Sequence, residues 1–258
     1  MDAEHDGYTR LCQPITHRRR LVNIHDRYWL VLDELRGRGT HKYEFLYHFA
    51  PEAQLLVYGD EVRGEVDCRA RLKQAGLQLF MYGSAPVYTE VQCGQMQPLQ
   101  GWSSERYGQR KPNPVLCATM QEQAPAGMLT LLLPGTENKC SRRLNARGGR
   151  SIAAVIREGE YEDVIVQSLG NSVLHLMECA LQGEFFWIRT QNGAVVQVLA
   201  INGRKLELGD HVVFENDEPL PYVMAHVWEN GIVIERGERE GRVRVYVRDL
   251  RDRQFQRR

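Results

Sequence analysis

Three positions in the first fifty residues carry the side chains of a metal site: His17, Asp33 and His48. Two imidazoles and one carboxylate make an ordinary zinc ligand set. They fall in "ITHRRRLVNI", "YWLVLDEL" and "YEFLYHF", which read as three successive strands. Alternation puts Asp33 on the face of Trp29 and Val31, which buries a carboxylate unless a cation or hydrogen bonds compensate it. Zinc is one such cation, and arginine is the other. A three-residue turn at residues 25–27 sets Arg19 directly across from Asp33 as a cross-strand ion pair. In that register His17 lies diagonal to Asp33, within reach of a shared metal. A tight turn at "RGRG" leaves His48 several residues out of line and brings His41 closer, so His41 is the reserve ligand unless a bulge or longer loop intervenes.

Proton transfer has a separate candidate, His5 in "EHDGY", beside Tyr8. One member of such a pair can accept a proton and the other donate near neutral pH. A frayed histidine near a chain terminus is the plainer reading of the same residue. His25, His175, His211 and His226 sit at strand or turn positions and read as structural. The stretch "GWSSERYGQRKP" gathers Trp102, Arg106, Tyr107, Arg110 and Lys111. Flat rings stack on sugars and guanidinium groups grip carboxylates or sulfates, so Trp102, Arg106 and Tyr107 are candidate contacts for an acidic polysaccharide. A solvated loop anchored through Trp102 accounts for the same composition.

The elements that must position these groups are strands. Period-two or short β-rich runs recur from "RLVNI" to "GRVRVYVRDL", with Gly, Asn and Asp between them about every 8–12 residues. "NSVLHLMECALQ" comes nearest to a helical stripe, and a strand suits it at least as well. Asn192-Gly193 and Asn230-Gly231 are type I′ hairpin signals, which make the last third a meander. Antiparallel strands with one apolar face must cover it, so the predicted fold is an all-β, antiparallel β-sandwich of two stacked sheets. The polar, Gly-rich break "PGTENKCSRRLNARGGRS" suggests a division into residues 1–140, with the metal set and the sugar-facing loop, and residues 141–258, a meander layer packing on them.

Bulk properties narrow the function. The 33 basic residues balance the 33 acidic ones, which argues against a nucleic-acid partner. No apolar run approaches the roughly 20 residues of a membrane span, and "MDAEHDGYTR" lacks the features of a signal peptide. The six cysteines are scattered without a C-x-x-C pair and read as buried thiols rather than a disulfide framework.

Taken in order, "HDGYTRL", "PITHRRRLVNIHDRYWLVLDELRGRGTHKYEFLYHFAPEA", "GWSSERYGQRKPNPVL" and "LTLLLPG" resemble the C-terminal β-sheet domain of the heparinase II/III-like polysaccharide lyases, across roughly residues 4–135. The resemblance implies cleavage of uronate-containing polysaccharide by β-elimination. It also implies a structural zinc held, by motif position, through His17, Asp33 and His48, and export to the periplasm or cell envelope. Full-length relatives carry a helical α/α toroid ahead of the β domain, with the active cleft between the two. This chain opens almost where the β domain should, so the toroid is expected on another chain or lost by truncation, with the chain alone inactive. Some relatives place a catalytic histidine two residues before the first zinc ligand. Ile15 stands there, so His5 becomes the candidate replacement. The alternative is a non-catalytic carbohydrate-binding or structural β-sandwich in which arginine satisfies Asp33 and no metal binds.

Overall fold

The computed structural model describes residues 1–209, 211–228, 231–238 and 241–248. Alternating apolar and polar residues leave each strand one face to bury, and the described chain is antiparallel β structure with no helix. Contacts divide it into two units, Met1–Asn138 and Lys139–Arg258.

The first unit contains β1 (Asp2–His5), β2 (Ile15–Ile24), β3 (Tyr28–Gly37), β4 (Thr40–His48), β5 (Gln54–Asp60), β6 (Glu65–Leu72), β7 (Ala75–Gly83), β8 (Val87–Gln92), the short β9 (Gln95–Met96), β10 (Leu99–Gln100), β11 (Trp102–Ser103) and β12 (Lys111–Pro112), then β13 (Val115–Gln123) and β14 (Ala126–Pro134). Seven strands form one sheet in the order β1-β2-β3-β14-β7-β6-β5, and β4-β13-β8 form a second. Leu35, Leu79, Met81 and Met128 of the large sheet meet Phe45, Leu116, Ala118 and Met120 of the small one in a single core. This unit is the sandwich that alternation predicts. The chain passes from the large sheet to the small one at Gly37, which has φ 149°. A Cβ there would lie 2.0 Å from the Pro14 carbonyl oxygen, so the crossover requires glycine.

The turn between β2 and β3 matches its expected length. Ile24 pairs with Tyr28, His25 and Asp26 take positive φ, and the Asn23 side chain accepts from the Asp26 amide at 2.9 Å. Arg19 consequently pairs with Asp33.

The second unit contains β15 (Cys140–Leu144), β16 (Ser151–Glu158), β17 (Tyr161–Ser168), β18 (Leu174–Leu176), β19 (Cys179–Gln182), β20 (Phe185–Gln191), β21 (Ala194–Leu208), β22 (His211–Trp228), β23 (Gly231–Glu238) and β24 (Gly241–Arg248). All ten join one sheet, with the β18–β19 hairpin attached through β21. That sheet is a nearly closed barrel, so two stacked sheets describe only part of the protein. The cause lies in β21 and its neighbours: register shifts at Arg189/Thr190, Gly203/Lys205 and Leu206/Glu207 bend and twist the long strands. The sheet then covers its apolar face with itself, around Val166, Phe186, Ile188, Val198 and Leu206. β20 through β24 follow one another as the expected meander. Asn192 and Gly193 have φ 49° and 85° between the paired Gln191 and Ala194, as a type I′ turn requires. The Asn230-Gly231 turn lies outside the described residues. The stretch nearest to a helical pattern forms the β18–β19 hairpin, turning at Met177.

Candidate functional site

Asp33 is 0% exposed on the face of the large sheet that meets the small one. Arg19 reaches it across the β2–β3 ladder with two hydrogen bonds, Nε to Oδ1 at 2.6 Å and a terminal nitrogen to Oδ2 at 3.0 Å. His17, diagonal to Asp33 as the register requires, places Nε2 2.6 Å from Oδ1. The Tyr47 hydroxyl donates to Thr130 Oγ1 at 2.9 Å on the same face. Burial, with the nearby Asp33 charge, pushes the Tyr47 phenol well above its ordinary pKa, so it stays a neutral donor. Burial lowers the pKa of Arg19 while its hydrogen bond to Asp33 raises it, and the net direction is upward.

His5 is brought to this place by β1. It pairs directly with His17 across the β1–β2 ladder, which puts the two side chains on one face with Cα atoms about 4.5–5.5 Å apart. The His5 ring meets Tyr8 edge-on, centroids 5.2 Å apart. It also lies over Gly7, where a Cβ would stand 2.4 Å from the imidazole. The groups therefore run from solvent inward: His5 and Tyr8 exposed, His17 with 24% of its side chain exposed, Asp33 buried. β1 is fastened by Asp2, which accepts from Arg18 Nε at 2.8 Å and Arg20 Nε at 3.0 Å. The Arg18 hydrogen bond, opposed by burial and aided by Arg20, holds the Asp2 carboxyl at a pKa of about 2.

His48 is not brought in. On β4 the inward residues are Tyr43, Phe45 and Tyr47, and His48 shares the outward, exposed side with Glu44 and Leu46. Period two decides this, because Tyr47 and its neighbour cannot point the same way. His41 is on the inward parity, but its Nε2 donates to the Arg38 carbonyl at 2.8 Å. No group of three His, Cys, Asp or Glu that could hold a metal occurs among the described residues. Two donors on one tetrahedral zinc, each at about 2.0–2.1 Å, stand about 3.3 Å apart. The 2.6 Å between His17 Nε2 and Asp33 Oδ1 is instead the spacing of a hydrogen bond. As arranged here, His17, Asp33 and His48 do not fit zinc.

The loop after β8 is built from two short ladders, β9–β10 and β11–β12. Trp102 is half-buried, donates Nε1–H to the Gln95 carbonyl at 2.8 Å, and carries the Arg110 guanidinium over its ring at 4.3 Å. Arg106 and Tyr107 lie at the exposed tip. The cation on the tryptophan is thus Arg110, while Arg106 and Tyr107 remain open to a ligand. Asn113 ties the base of this loop to the end of β4, donating to the Phe49 carbonyl at 3.1 Å. Sequence reasoning missed Tyr47 and the Asp2–Arg18–Arg20 clamp. The parity of "YEFLYHF" carried the signal for Tyr47. Nothing local marks Asp2, which acts through a partner strand.

All six cysteines are free; Cys68 and Cys117 are buried, whereas Cys12, Cys93 and Cys140 are exposed, so the buried-thiol expectation covers only part of the set.

Residues 1–146 match the family model described as heparinase II/III-like, C-terminal. Among solved structures, the heparinase III BT4657 gene product is similar at 12% identity with a TM-score of 0.43, over 67% of this chain and 25% of that one. The same gene product with methylated lysines is similar at 12% identity and a TM-score of 0.40, over 63% of this chain and 24% of that one. The similar region is thus about a quarter of those chains. No curated protein matches. Since the matched residues are more than half of its 258 and contain the Asp33 strand, the His17 strand and the Trp102 loop, this chain belongs to the heparinase II/III-like C-terminal family.

Proposed function

We propose that the chain is the β module of a polysaccharide lyase that acts on an acidic, uronate-containing polysaccharide by β-elimination. In that reaction a base takes the proton next to the uronate carboxylate, a cation or hydrogen-bond donor steadies the charge that develops, and an acid protonates the departing sugar oxygen. Family membership supports the class. The observation that carries the site is the exposed His5 set directly across from His17, whose imidazole is held by the buried Asp33. His5, with Tyr8 edge-on beside it, is the proton-transfer candidate on this wall. Arg106 and Tyr107 at the loop tip, with Trp102 below them, are the candidate sugar contacts. A helical α/α-toroid domain would supply the opposite wall and the other proton-transfer group. A cell-envelope or periplasmic setting, where such polymers occur, accompanies this reading. None of these steps passes through zinc.

A non-catalytic carbohydrate-binding module is the second reading, favoured by Ile15. It is 3% exposed and moves no proton at the position where the resemblance puts a catalytic histidine. The test is affinity electrophoresis of the chain in gels containing acidic polysaccharides, paired with absorbance of unsaturated uronate products with and without an added toroid domain. Expected are retardation by the chain alone, product only in the assembly, and a loss of about 10²-fold in product rate for His5→Ala. Retardation with no product in any assembly selects the binding module. Absence of both retardation and product overturns the proposal.

A further inference from the structure

We infer that Arg19 is the resident cation of the Asp33 site, holding in this chain the place that the family resemblance gives to zinc. The clasp is the first ground. A carboxylate without solvent exposure is met on both oxygens by one guanidinium, in the forked geometry that arginine presents and lysine does not. The second ground is His17, whose Nε2 is spent on Asp33 at hydrogen-bond distance rather than turned with it toward a common ion. The third is His48, on the outward side of β4 in the other sheet.

Electrostatics makes the two occupants alternatives. A buried carboxylate calls for one compensating charge, and a divalent ion brought to the same oxygens would be repelled by the guanidinium already there. Register makes Arg19 the arginine that serves. A slip of one residue would turn Arg19 to the other face, where Arg18 and Arg20 hold Asp2. Arg19 is therefore a positioning residue: it fixes Asp33, Asp33 holds the His17 ring, and His17 underlies His5. This assignment holds whether the module belongs to a lyase or only binds sugar.

The test begins with metal content. Full-length chain purified with neither chelator nor added metal, analysed by plasma mass spectrometry, is expected to carry less than about a tenth of an equivalent of zinc. Its melting midpoint is expected to be unmoved by EDTA or by zinc salts. Arg19→Gln should lower that midpoint by roughly 5–10 °C, because it takes the forked guanidinium away from a fully buried carboxylate. Arg19→Gln combined with Asp33→Asn should recover at least half the loss, since no charge is then left behind, and a merely space-filling arginine would show no such rescue. If Arg19→Gln does not fold, a folded double variant supports the assignment equally. Near-stoichiometric zinc, a midpoint that falls in EDTA, or an Arg19→Gln midpoint equal to wild type would each overturn it. If neither variant folds, the metal content and EDTA response of the wild-type chain decide.

Discussion

Tyr47 shows how one hydroxyl joins the two sheets beside the Asp33 site. It spans from β4 of the small sheet to the fully buried Thr130 of the large one. Tyr47→Phe keeps the ring and removes the donor, leaving a buried threonine hydroxyl short of a partner. Its expected cost is about 1–2 kcal/mol in unfolding free energy, read from the urea midpoint at unchanged slope. An unchanged midpoint would show that Thr130 Oγ1 finds another donor. Asp33 and Arg19 were legible at this scale because an acid on the apolar face of a strand must be answered, and the turn length named the residue across from it. The outward place of His48 was legible too, because in "YEFLYHF" Tyr43, Phe45, Tyr47 and Phe49 share one parity while Glu44, Leu46 and His48 share the other.

At the scale of the element, β1 decides whether His5 belongs to the site. It is the edge strand of the large sheet, paired on one side with β2, and Asp2 is its charged fastening. Because the Asp2 pKa is depressed from 3.8 to about 2, its contribution is fully present above about pH 4 and is lost as the pH falls through about 2. Asp2 is 41% exposed, so that contribution is below about 1 kcal/mol. Asp2→Asn should loosen β1, seen as faster amide exchange of its paired residues and easier proteolysis at residues 6–8, with the β2–β3 ladder unchanged. The stability gap between wild type and variant should close as the pH falls from about 4 to about 2. A gap that stayed constant across that window would place the fastening elsewhere.

At the scale of the whole molecule, each unit has its own core, one between two sheets and one inside a curled sheet. Leu116→Ala, at a fully buried position of the first, should cost about 2–5 kcal/mol, and Phe186→Ala in the second about 3–5 kcal/mol. Hydrogen exchange is expected to quicken in β4, β13 and β14 for the former and in β17, β20 and β21 for the latter. Exchange rising equally over both units in either variant would contradict separate cores. The antiparallel all-β character, the β2–β3 and β20–β21 turns, and the need of Asp33 for a cation are all written in local residue patterns. These depend on period two, on turn chemistry and on the cost of burying charge, all of which act within a few residues. Packing of distant segments settled the rest: that ten strands curl into a nearly closed barrel, that β1 sets His5 against His17, and that Arg19 meets both oxygens of Asp33. Those outcomes depend on which strand lies beside which and on bulges accumulated along long strands, and pairing between distant segments leaves no periodic trace in either one.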